Sequence, residues 1–455
     1  MDRSLRKRIW GWFFFDWASQ PFYTLGLTFI FGPYFAYVAT NYFMDAGLTQ
    51  EAAKANSQSI WAISQTIAGL LIAVTAPVLG VWADNSGRKM PWILLFSAIF
   101  VAATASLWGL TPDGSSLYLM LVIFYVGFFA AESALNFTNA ILPSLGDEKT
   151  VGRISGMGAA FGYWGGVLAL LIMLLLLAEN ENGVTLLGNA PLFGLDPETR
   201  EGTRAVGPFI AIWYVIFMIP FFAWVRDDPR KVKSSVPFRQ IWSDLKTSLK
   251  AITHRKSLLN FLISSMLYRD ALNALYAFGG FYAALVLEWS IVQIGVFGII
   301  GAISAAITTA IGGIFDARVG PKPVIRVAIW CLIAVGAVII GMSRQHLFGF
   351  PLPEGSSLPD VIFLICGAVT GGAGGALYAA SRSLMVRHAD PDRPTEAFGL
   401  FALSGKATAF LAPALIALIT AWTGNNQQGF IPVIILFLLG LFLLRWVKPE
   451  GDRAV

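Results

Sequence analysis

The sequence carries little charge for its length. Asp, Glu, Lys and Arg make up 13% of the 455 residues, about half the share found in soluble domains, whereas hydrophobic residues make up 56%. A soluble chain of this length would fold as two or three domains with polar surfaces, and these charged residues are too few to cover them. The short alternating segments of a membrane β-barrel are also missing. The composition predicts an all-α polytopic membrane protein.

Cysteine and histidine are also scarce. The two cysteines, Cys331 and Cys366, lie in apolar runs, where we interpret them as inert packing residues. The three histidines are scattered over predicted loops and form no metal cluster and no Ser–His–Asp arrangement. GLFALSGKAT resembles a phosphate-binding loop, but Ala407 follows Lys406 where Ser or Thr is required. We therefore expect no enzyme activity, no metal site and no cofactor.

Twelve apolar runs are long enough to cross a bilayer, whose hydrocarbon core of about 30 Å takes roughly 20 helical residues. The runs cover residues 10–38, 58–82, 91–110, 117–142, 154–178, 205–225, 257–286, 291–315, 323–343, 359–386, 397–422 and 429–447. The first run is too long for a signal peptide, so we interpret it as a retained transmembrane helix. An even number of spans places both termini on the same side of the membrane.

The basic residues indicate which side holds the termini. The net charge of +5 does not point to nucleic acid, because the basic residues occupy short loops between apolar runs. Most of them lie on the side of the termini, and the opposite loops hold only Lys54, Arg200, Arg204 and Arg344. The positive-inside rule then predicts cytoplasmic termini. Compact loops without a targeting extension favour a bacterial cytoplasmic membrane.

The longest cytoplasmic connection divides the chain in two. We expect an N-terminal six-helix half (residues 1–225), a linker (226–256) and a C-terminal six-helix half (257–455). Apolar residues recur at helical spacing in the linker with basic residues between them, which predicts an amphipathic helix. That helix would lie on the membrane surface, or it would pack on the cytoplasmic ends of the spans.

The two halves repeat weakly. Asp16 and Ser19 in span one are spaced like Asp270 and Asn273 in span seven. GVWADNSGRK follows span two, GIFDARVGPK follows span eight, and spans five and eleven each hold two glycines six residues apart. All three matches occur in the same order along the chain. Repeats of six plus six helices around a central connection are typical of transporters whose substrate site lies near the membrane midplane.

The loop between spans two and three carries the most specific motif. Its residues Gly80, Asp84, Gly87, Arg88 and Lys89 resemble the loop signature of the major facilitator superfamily. Glycines permit a tight turn and close helix approach, and a carboxylate can pair with the positive N-terminus of a neighbouring helix. The resemblance implies that Asp84 contacts the eleventh span and latches the cytoplasmic face. The second copy, which contains Asp316, has one extra residue, so an equivalent latch does not follow from the motif.

Longer pieces resemble the vacuole-effluxer-like branch of that superfamily, which includes autophagy-related amino-acid effluxers of fungal vacuoles. They are FFFDWASQPF in span one, NFTNAILP in span four, ISGMGAAFGYWGG in span five, LYRDALNALYAFGGFYA in span seven and FGLFALSGKATAFLAP in span eleven. The resemblance implies the major facilitator fold and export of small solutes, which are amino acids in the fungal case. Arg269 stands where the family more often has Asn, which leaves its role open.

The facilitator fold implies that spans one, four, seven and ten line the cavity, and each of them carries polar residues on one face. Charged residues at membrane depth are costly, and they mark substrate or proton pathways. The substrate and coupling candidates are Asp16 and Gln20 in span one, Glu132, Asn136 and Asn139 in span four, Arg269, Asp270 and Asn273 in span seven, Arg382 in span ten and Lys406 in span eleven.

Two interpretations of the intramembrane charges stay open. Asp16 and Glu132 are candidates for proton coupling, because alternation between water and burial changes the proton affinity of a carboxylate. Arg269 and Lys406 would bind a substrate carboxylate. Alternatively, Arg269 pairs with Glu132, and Lys406 pairs with Asp270 or Asp16. Asp270 is either a structural partner of Arg269 or a further coupling group.

The sequence thus predicts a secondary transporter that moves a small polar solute, amino-acid-like by resemblance, by alternating access. The flux would be facilitated or coupled to protons. We expect a monomer whose partners are the solute, the lipid bilayer and protons, without nucleic acid. A lipid or amphiphile translocator on the same fold and a non-transporting receptor or scaffold are the alternatives, and measured solute flux would exclude the second.

Overall fold

The computed structural model of the chain describes residues 3–180, 182–227, 238–287, 289, 291–424 and 427–452, which are almost entirely helical. The α-helices are α1 Arg3–Pro21, α2 Phe31–Asp45, α3 Gln50–Ser86, α4 Met90–Ser106, α5 Leu117–Asn139, α6 Val151–Ile172, α7 Glu201–Arg204, α8 Val206–Trp224, α9 Phe238–His254, α10 Lys256–Leu285, α11 Ile291–Val319, α12 Pro321–Gly341, α13 Leu358–His388, α14 Pro394–Lys406, α15 Leu411–Thr423 and α16 Ile431–Leu443. A π-helical segment, Phe22–Phe29, joins α1 to α2. A short antiparallel hairpin, β1 His346–Leu347 and β2 Phe350–Pro351, precedes α13.

Hydropathy and helix length agree along the chain. Within the described residues, eleven helical stretches are long and apolar enough to cross a membrane, and they coincide with eleven of the predicted spans. The remaining predicted span, the seventh, is covered by the helix α10. The prediction of an all-α polytopic membrane protein is therefore confirmed.

The chain divides into two compact units. Unit 1 contains Met1–Ile72, Arg88–Thr138 and Phe161–Asp228, and unit 2 contains Ala73–Gly87, Asn139–Ala160 and Pro229–Val455. Two short segments of the predicted N-terminal half therefore belong to unit 2. The division into six plus six helices, which rests on the sequence repeat, stays a prediction.

Aromatic side chains fill the core of unit 1 around Phe124. The rings of Phe22 and Phe31 stack on it with centroids 5.2 and 5.0 Å away, and the Trp61 ring lies 5.0 Å from it. Aromatic pairs at such separations add to the free energy gained from burial. They anchor the π-helical segment, to which Phe22 belongs, against α5.

Small residues bring helices of unit 2 into backbone contact. A Cβ added at Gly156 in α6 would lie 2.5 Å from the Cα of Gly313 in α11. A Cβ added at Gly399 in α14 would lie 2.7 Å from the carbonyl oxygen of Ala76 in α3. Close approach through small residues is a common way for membrane helices to associate, because lipid supplies no hydrophobic drive between them. The glycines that mark the repeat thus have a packing role.

The predicted amphipathic linker helix is present as α9. The Asn85 Nδ2 near the end of α3 donates to the Asp244 Oδ2 on α9 at 2.8 Å. Ile252 is buried, whereas Trp242 is 48% exposed. The hydrogen bond supports the placement on the helix ends, and the exposed Trp242 side chain is compatible with contact to a membrane surface.

Candidate functional site

In unit 1, the polar face of span one packs on α6. A Cβ added at Gly162 would lie 3.0 Å from the carbonyl oxygen of Asp16, so α1 and α6 touch at this residue. Asp16 is half-buried, and its carbonyl accepts a hydrogen bond from the Ser19 hydroxyl at 3.4 Å. Gln20 lies against Gly166, one turn further along α6. This packing places the start of both polar side chains beside α6.

Glu132 in α5 is reached from span one by Tyr23. The Tyr23 hydroxyl donates to Glu132 Oε1 at 3.2 Å, and both side chains are half-buried. Asn136 is buried one turn further along α5. The structure therefore connects Tyr23 of span one with the predicted candidate Glu132 within unit 1.

Span one changes its winding between Asp16 and Tyr23. The α-helix ends at Pro21, and Tyr23 belongs to the π-helical segment, so Asp16 and Tyr23 are not related by regular α-helical spacing. Proline lacks the amide hydrogen that would bond to the carbonyl of Trp17. The Nε1 of Trp213 donates to that carbonyl instead, at 3.1 Å. Pro21 thus accounts for the change of winding.

In unit 2, Arg382 of α13 binds the end of α5 and the first turns of α6. Its side chain is 1% exposed. Nη1 donates to Asn139 Oδ1 at 3.2 Å, Nε donates to Ser155 Oγ at 2.9 Å, and Nη2 donates to the Ser155 carbonyl at 2.7 Å. The guanidinium carbon also lies 5.6 Å from the centre of the Tyr378 ring. Two predicted candidates, Arg382 and Asn139, are therefore in contact, and Ser155 was not foreseen.

Span eleven is predicted as one helix over 397–422, but the structure breaks it. α14 ends at Lys406 and α15 begins at Leu411. Pro413 explains the break, because its ring removes a helical hydrogen bond and clashes with the carbonyl four residues earlier. A tight turn replaces the helical pattern, with the Leu411 amide donating to the Thr408 carbonyl at 2.8 Å. The Ala412 amide is left to donate outside its own span.

Asp270 in the middle of α10 accepts that amide. Its Oδ2 lies 3.1 Å from the Ala412 nitrogen, and the residue is 3% exposed. A carboxylate at this position caps the first turn of α15. The neighbouring Arg269 turns to α14, where Nη1 donates to the Phe401 carbonyl at 2.9 Å and the guanidinium carbon lies 4.4 Å from the Phe401 ring centre. Gly405 makes room for it, because a Cβ there would overlap the guanidinium.

The other two candidates near the break differ from Asp270 in burial. Asn273 is exposed, and Lys406, the last residue of α14, is half-buried. Among the described residues Asp270 takes part in no ion pair, so the alternative pairing of Lys406 with Asp270 is absent. The same residues contain no group of three His, Cys, Asp or Glu side chains that could hold a metal ion.

The gating-loop motif meets the start of α14 within unit 2. Asp84 Oδ2 accepts the Glu396 amide at 2.8 Å, which caps α14. A Cβ added at Gly80 would lie 2.6 Å from the Thr395 carbonyl oxygen. Gly87 has a φ of 67°, which glycine adopts without steric cost. The motif residues therefore hold α3 against the first turn of α14, the contact that the resemblance implies.

The other motif residues are Arg88 and Lys89 at the end of the first copy, and Asp316 in the second copy. Arg88 is exposed, and the Lys89 amide donates to Asp227 Oδ1 at 2.9 Å. In the second copy, Asp316 is 1% exposed and lies 3.9 Å from Arg387 Nη2. It fills the space beside Gly152, at the first turn of α6. Despite the extra residue in its loop, Asp316 therefore stands at the start of a helix, as Asp84 does.

A polar cluster at the start of α10 was missed from the sequence. His388 ends α13 and is fully buried, contrary to its predicted place in a loop. Its Nε2 shares a hydrogen bond of 2.8 Å with the Ser257 hydroxyl. Asp452 Oδ2 accepts the Ser257 amide at 2.9 Å, and Oδ1 lies 3.2 Å from Arg255 Nη2. No sequence spacing connects residues so far apart in the chain.

Comparisons with known proteins agree with this architecture. Residues 4–454 match the family model described as "Vacuole effluxer Atg22 like". The chain belongs to the Atg22-like vacuole effluxer family. An uncharacterized MFS-type transporter of Bacillus subtilis, YxiO, is 23% identical over 100% of this chain and 98% of its own length. Autophagy-related protein 22 of Cryptococcus neoformans is 23% identical over 67% of this chain, and the match spans 52% of that longer protein.

The fold is also that of solved transporters. The crystal structure of the human organic anion transporter MFSD10 (TETRAN) superposes with a TM-score of 0.68 at 15% identity, over 98% of this chain and 100% of that one. At this identity the likeness concerns the fold alone. Together with the family membership, it makes the chain an integral membrane transporter of the major facilitator type, related to transporters and not to enzymes.

Proposed function

We propose that this Atg22-like chain exports a small polar, amino-acid-like solute by alternating access across a bacterial cytoplasmic membrane. The break in span eleven carries the proposal. Irregular backbone at membrane depth is tolerated only where protein buries it or where it lines a cavity, and broken helices form the substrate sites of many transporters. Here the break between Lys406 and Leu411 lies beside the charged middle of α10.

The charges around the break suit a zwitterion. Asp270 offers a carboxylate, and Arg269 and Lys406 offer cations on the two helices that meet there. An amino acid carries one ammonium and one carboxylate group, so its recognition needs both signs. The family description as an effluxer supports export. The sequence resemblance to amino-acid effluxers supports the substrate class.

The glycine contacts of unit 2 support alternating access. α6 meets α11 at Gly156 and Gly313, and α3 meets α14 at Gly80 and Thr395. These backbone contacts leave no room for a solute between the helices that form them, so they must separate before a path can open there. Asp16 and Glu132 in unit 1 are our first candidates for coupling that separation to protons.

Counterflow in proteoliposomes tests the proposal. The full chain is reconstituted with a panel of unlabelled amino acids inside and trace labelled ones outside, so that no ion gradient is needed. We expect one or a few labels to accumulate above protein-free liposomes. R269A should weaken exchange roughly 10- to 100-fold, the usual cost of losing a charge-assisted hydrogen bond to a substrate. N260A is the matched control, because Asn260 also lies on α10 and donates to the Lys256 carbonyl of its own helix.

Each outcome decides a part of the proposal. Folded protein that exchanges no amino acid would refute the substrate class, and exchange of a labelled lipid would instead favour the amphiphile translocator. Equal exchange by R269A and N260A would remove Arg269 from the substrate site. If D16N and E132Q both keep full proton-driven flux, the coupling role of these two carboxylates is wrong.

A further inference from the structure

Asp270 is held by only one of its two carboxylate oxygens. Oδ2 accepts the Ala412 amide at 3.1 Å, while Oδ1 is buried and has no hydrogen-bond partner among the described residues. The residue lies in the middle of a 30-residue helix and is 3% exposed. A buried acceptor without a partner is unfavourable, and more so when it is charged. A proton on Oδ1 would remove the negative charge from this buried group.

The single bond of Asp270 connects two elements. Ala412 is the second residue of α15, and Pro413 prevents the helix from continuing regularly through this point. The carboxylate of α10 therefore takes the place of a carbonyl that an unbroken span eleven would supply. A full negative charge binds the amides of a helix N-terminus more strongly than a neutral acid does. The hold of α10 on α15 thus depends on the charge of Asp270.

Within the described parts of the chain, no basic side chain forms an ion pair with this carboxylate. Arg269 on the same helix turns to the Phe401 carbonyl and ring, and Lys406 stands at the end of α14. Arg382 on α13 donates to Asn139 and Ser155. α15 carries no charged residue, and neither does α16. The recorded partner of Asp270 is a nitrogen donor, whereas a metal ion such as Na⁺ requires several oxygen ligands.

We propose that Asp270 takes up and releases a proton during transport, and that protonation loosens its cap on α15 at the break in span eleven. Asp270 then acts as a coupling residue beside the solute site, in addition to Asp16 and Glu132. The consequence for flux rests on the proposed transport function. The protonation itself and the movement at the break can be measured without a substrate.

Infrared difference spectroscopy of the full chain in lipid tests the protonation. A pH titration of the wild type should show a protonated carboxyl band that D270N removes and that D16N and E132Q leave in place. D270E keeps a carboxylate and should shift the band, so it serves if D270N is poorly folded. A spectrum in which D270N or D270E changes no titrating band would overturn the proposal. So would a carboxylate band that responds to Na⁺ at constant pH and not to protons.

Cysteine labelling tests the movement. T408C, in a background with C331S and C366A, places a thiol in the break, and T423C at the far end of α15 is the control. D270N imitates the neutral acid, so at alkaline pH it should raise the maleimide labelling rate of T408C about 2- to 30-fold. The labelling rate of T408C with D270N, divided by its rate with Asp270, should fall to one at acidic pH. The same ratio for T423C should stay near one at every pH. A ratio for T408C that is the same at every pH would refute the proposed loosening.

The two proposals fail separately. If no amino acid exchanges while D270N removes the titrating band, the solute class is wrong and the protonation site stands. If amino acids exchange and the band does not depend on Asp270, the transport function stands and the protonation site is wrong.

Discussion

Substitution of Gly156 by alanine probes a close contact between the backbones of α6 and α11 in unit 2. An added Cβ would lie 2.5 Å from the Gly313 Cα, 2.8 Å from the Thr309 carbonyl oxygen and 2.9 Å from the Gly313 nitrogen. All three atoms belong to the backbone, so no side-chain rotation can relieve the overlap. Carbon contacts are comfortable at about 3.5–4.0 Å, so α6 and α11 would have to move apart by about 1 Å.

The cost of this separation can be estimated. Overpacking of a well-packed core costs roughly 1–3 kcal/mol. If the contact opens and closes during transport, G156A weakens only the closed state, and the equilibrium shifts towards the open state about 5- to 150-fold. The substitution should therefore lower thermal stability and increase access to the surface that α6 and α11 share.

Labelling of T309C measures that access, again in the C331S and C366A background. Thr309 is fully buried beside Gly156. G156A should accelerate maleimide labelling of T309C about 5- to 150-fold. G295A is the matched control in α11, because a Cβ at Gly295 would meet nothing within 4 Å. Equal labelling rates and melting temperatures for G156A and G295A would refute the close contact and the reasoning built on it.

Three further predictions concern carboxylates at helix starts. D84A removes the acceptor from the first turn of α14 and should cost about 0.5–2 kcal/mol of unfolding free energy, whereas D84N keeps an acceptor and should cost less, which thermal unfolding in detergent measures. D452A removes the acceptor of two amides at the start of α10 and should speed limited proteolysis there, with D452N as control. Hydrogen bonds from Thr150 hold the pKa of Asp147 below its ordinary value. These bonds therefore stabilise the folded protein fully at a pH above the ordinary pKa, and the stabilisation is lost as the pH falls through the lowered pKa. T150V should flatten this acid-side loss in a titration of stability against pH, and an unchanged profile would contradict the assignment.

The positions of the spans follow from hydropathy, because a bilayer requires about 20 apolar residues wherever a helix crosses it. The winding inside a span does not follow from it. The predicted run 10–38 contains parts of α1 and α2 and the π-helical segment, and the run 397–422 contains parts of α14 and α15. Mean hydropathy is insensitive to which amide bonds to which carbonyl. Pro21 and Pro413 lie at the two irregular points. Pro77 and Pro220 also lie in predicted spans but inside unbroken helices, so a proline alone does not reveal where the winding changes.

The site was predictable in its charges but not in its partners. Asp270 and Arg269 stand out because a charge in lipid is costly. In the structure their hydrogen bonds go to main-chain groups of Ala412 and Phe401. Every residue offers such groups, so reasoning from residue types considers opposite charges and overlooks them. The fold alone determines which amide or carbonyl lies within reach.

Helices at corresponding positions of the internal repeat make similar close contacts. In unit 1, Gly162 of α6 meets the backbone of Asp16 in α1. In unit 2, Gly405 of α14 meets the side chain of Arg269 in α10. The two glycines occupy spans five and eleven, which correspond in the repeat, and each faces the span that carries an Asp of the matching pair. The repeat is therefore a repeat of helix contacts as well as of sequence.

The break in span eleven departs from that repeat. Eight residues beyond Gly405 stands Pro413, whereas eight residues beyond Gly162 stands Leu170, inside the uninterrupted helix α6. Since α6 packs without a break, packing alone does not require one in span eleven. The break instead frees the Ala412 amide for Asp270, an interaction that a continuous helix could not offer. A coupling element confined to one half of the molecule would need a contact that the other half lacks and that depends on charge. The break in span eleven creates such a contact at membrane depth.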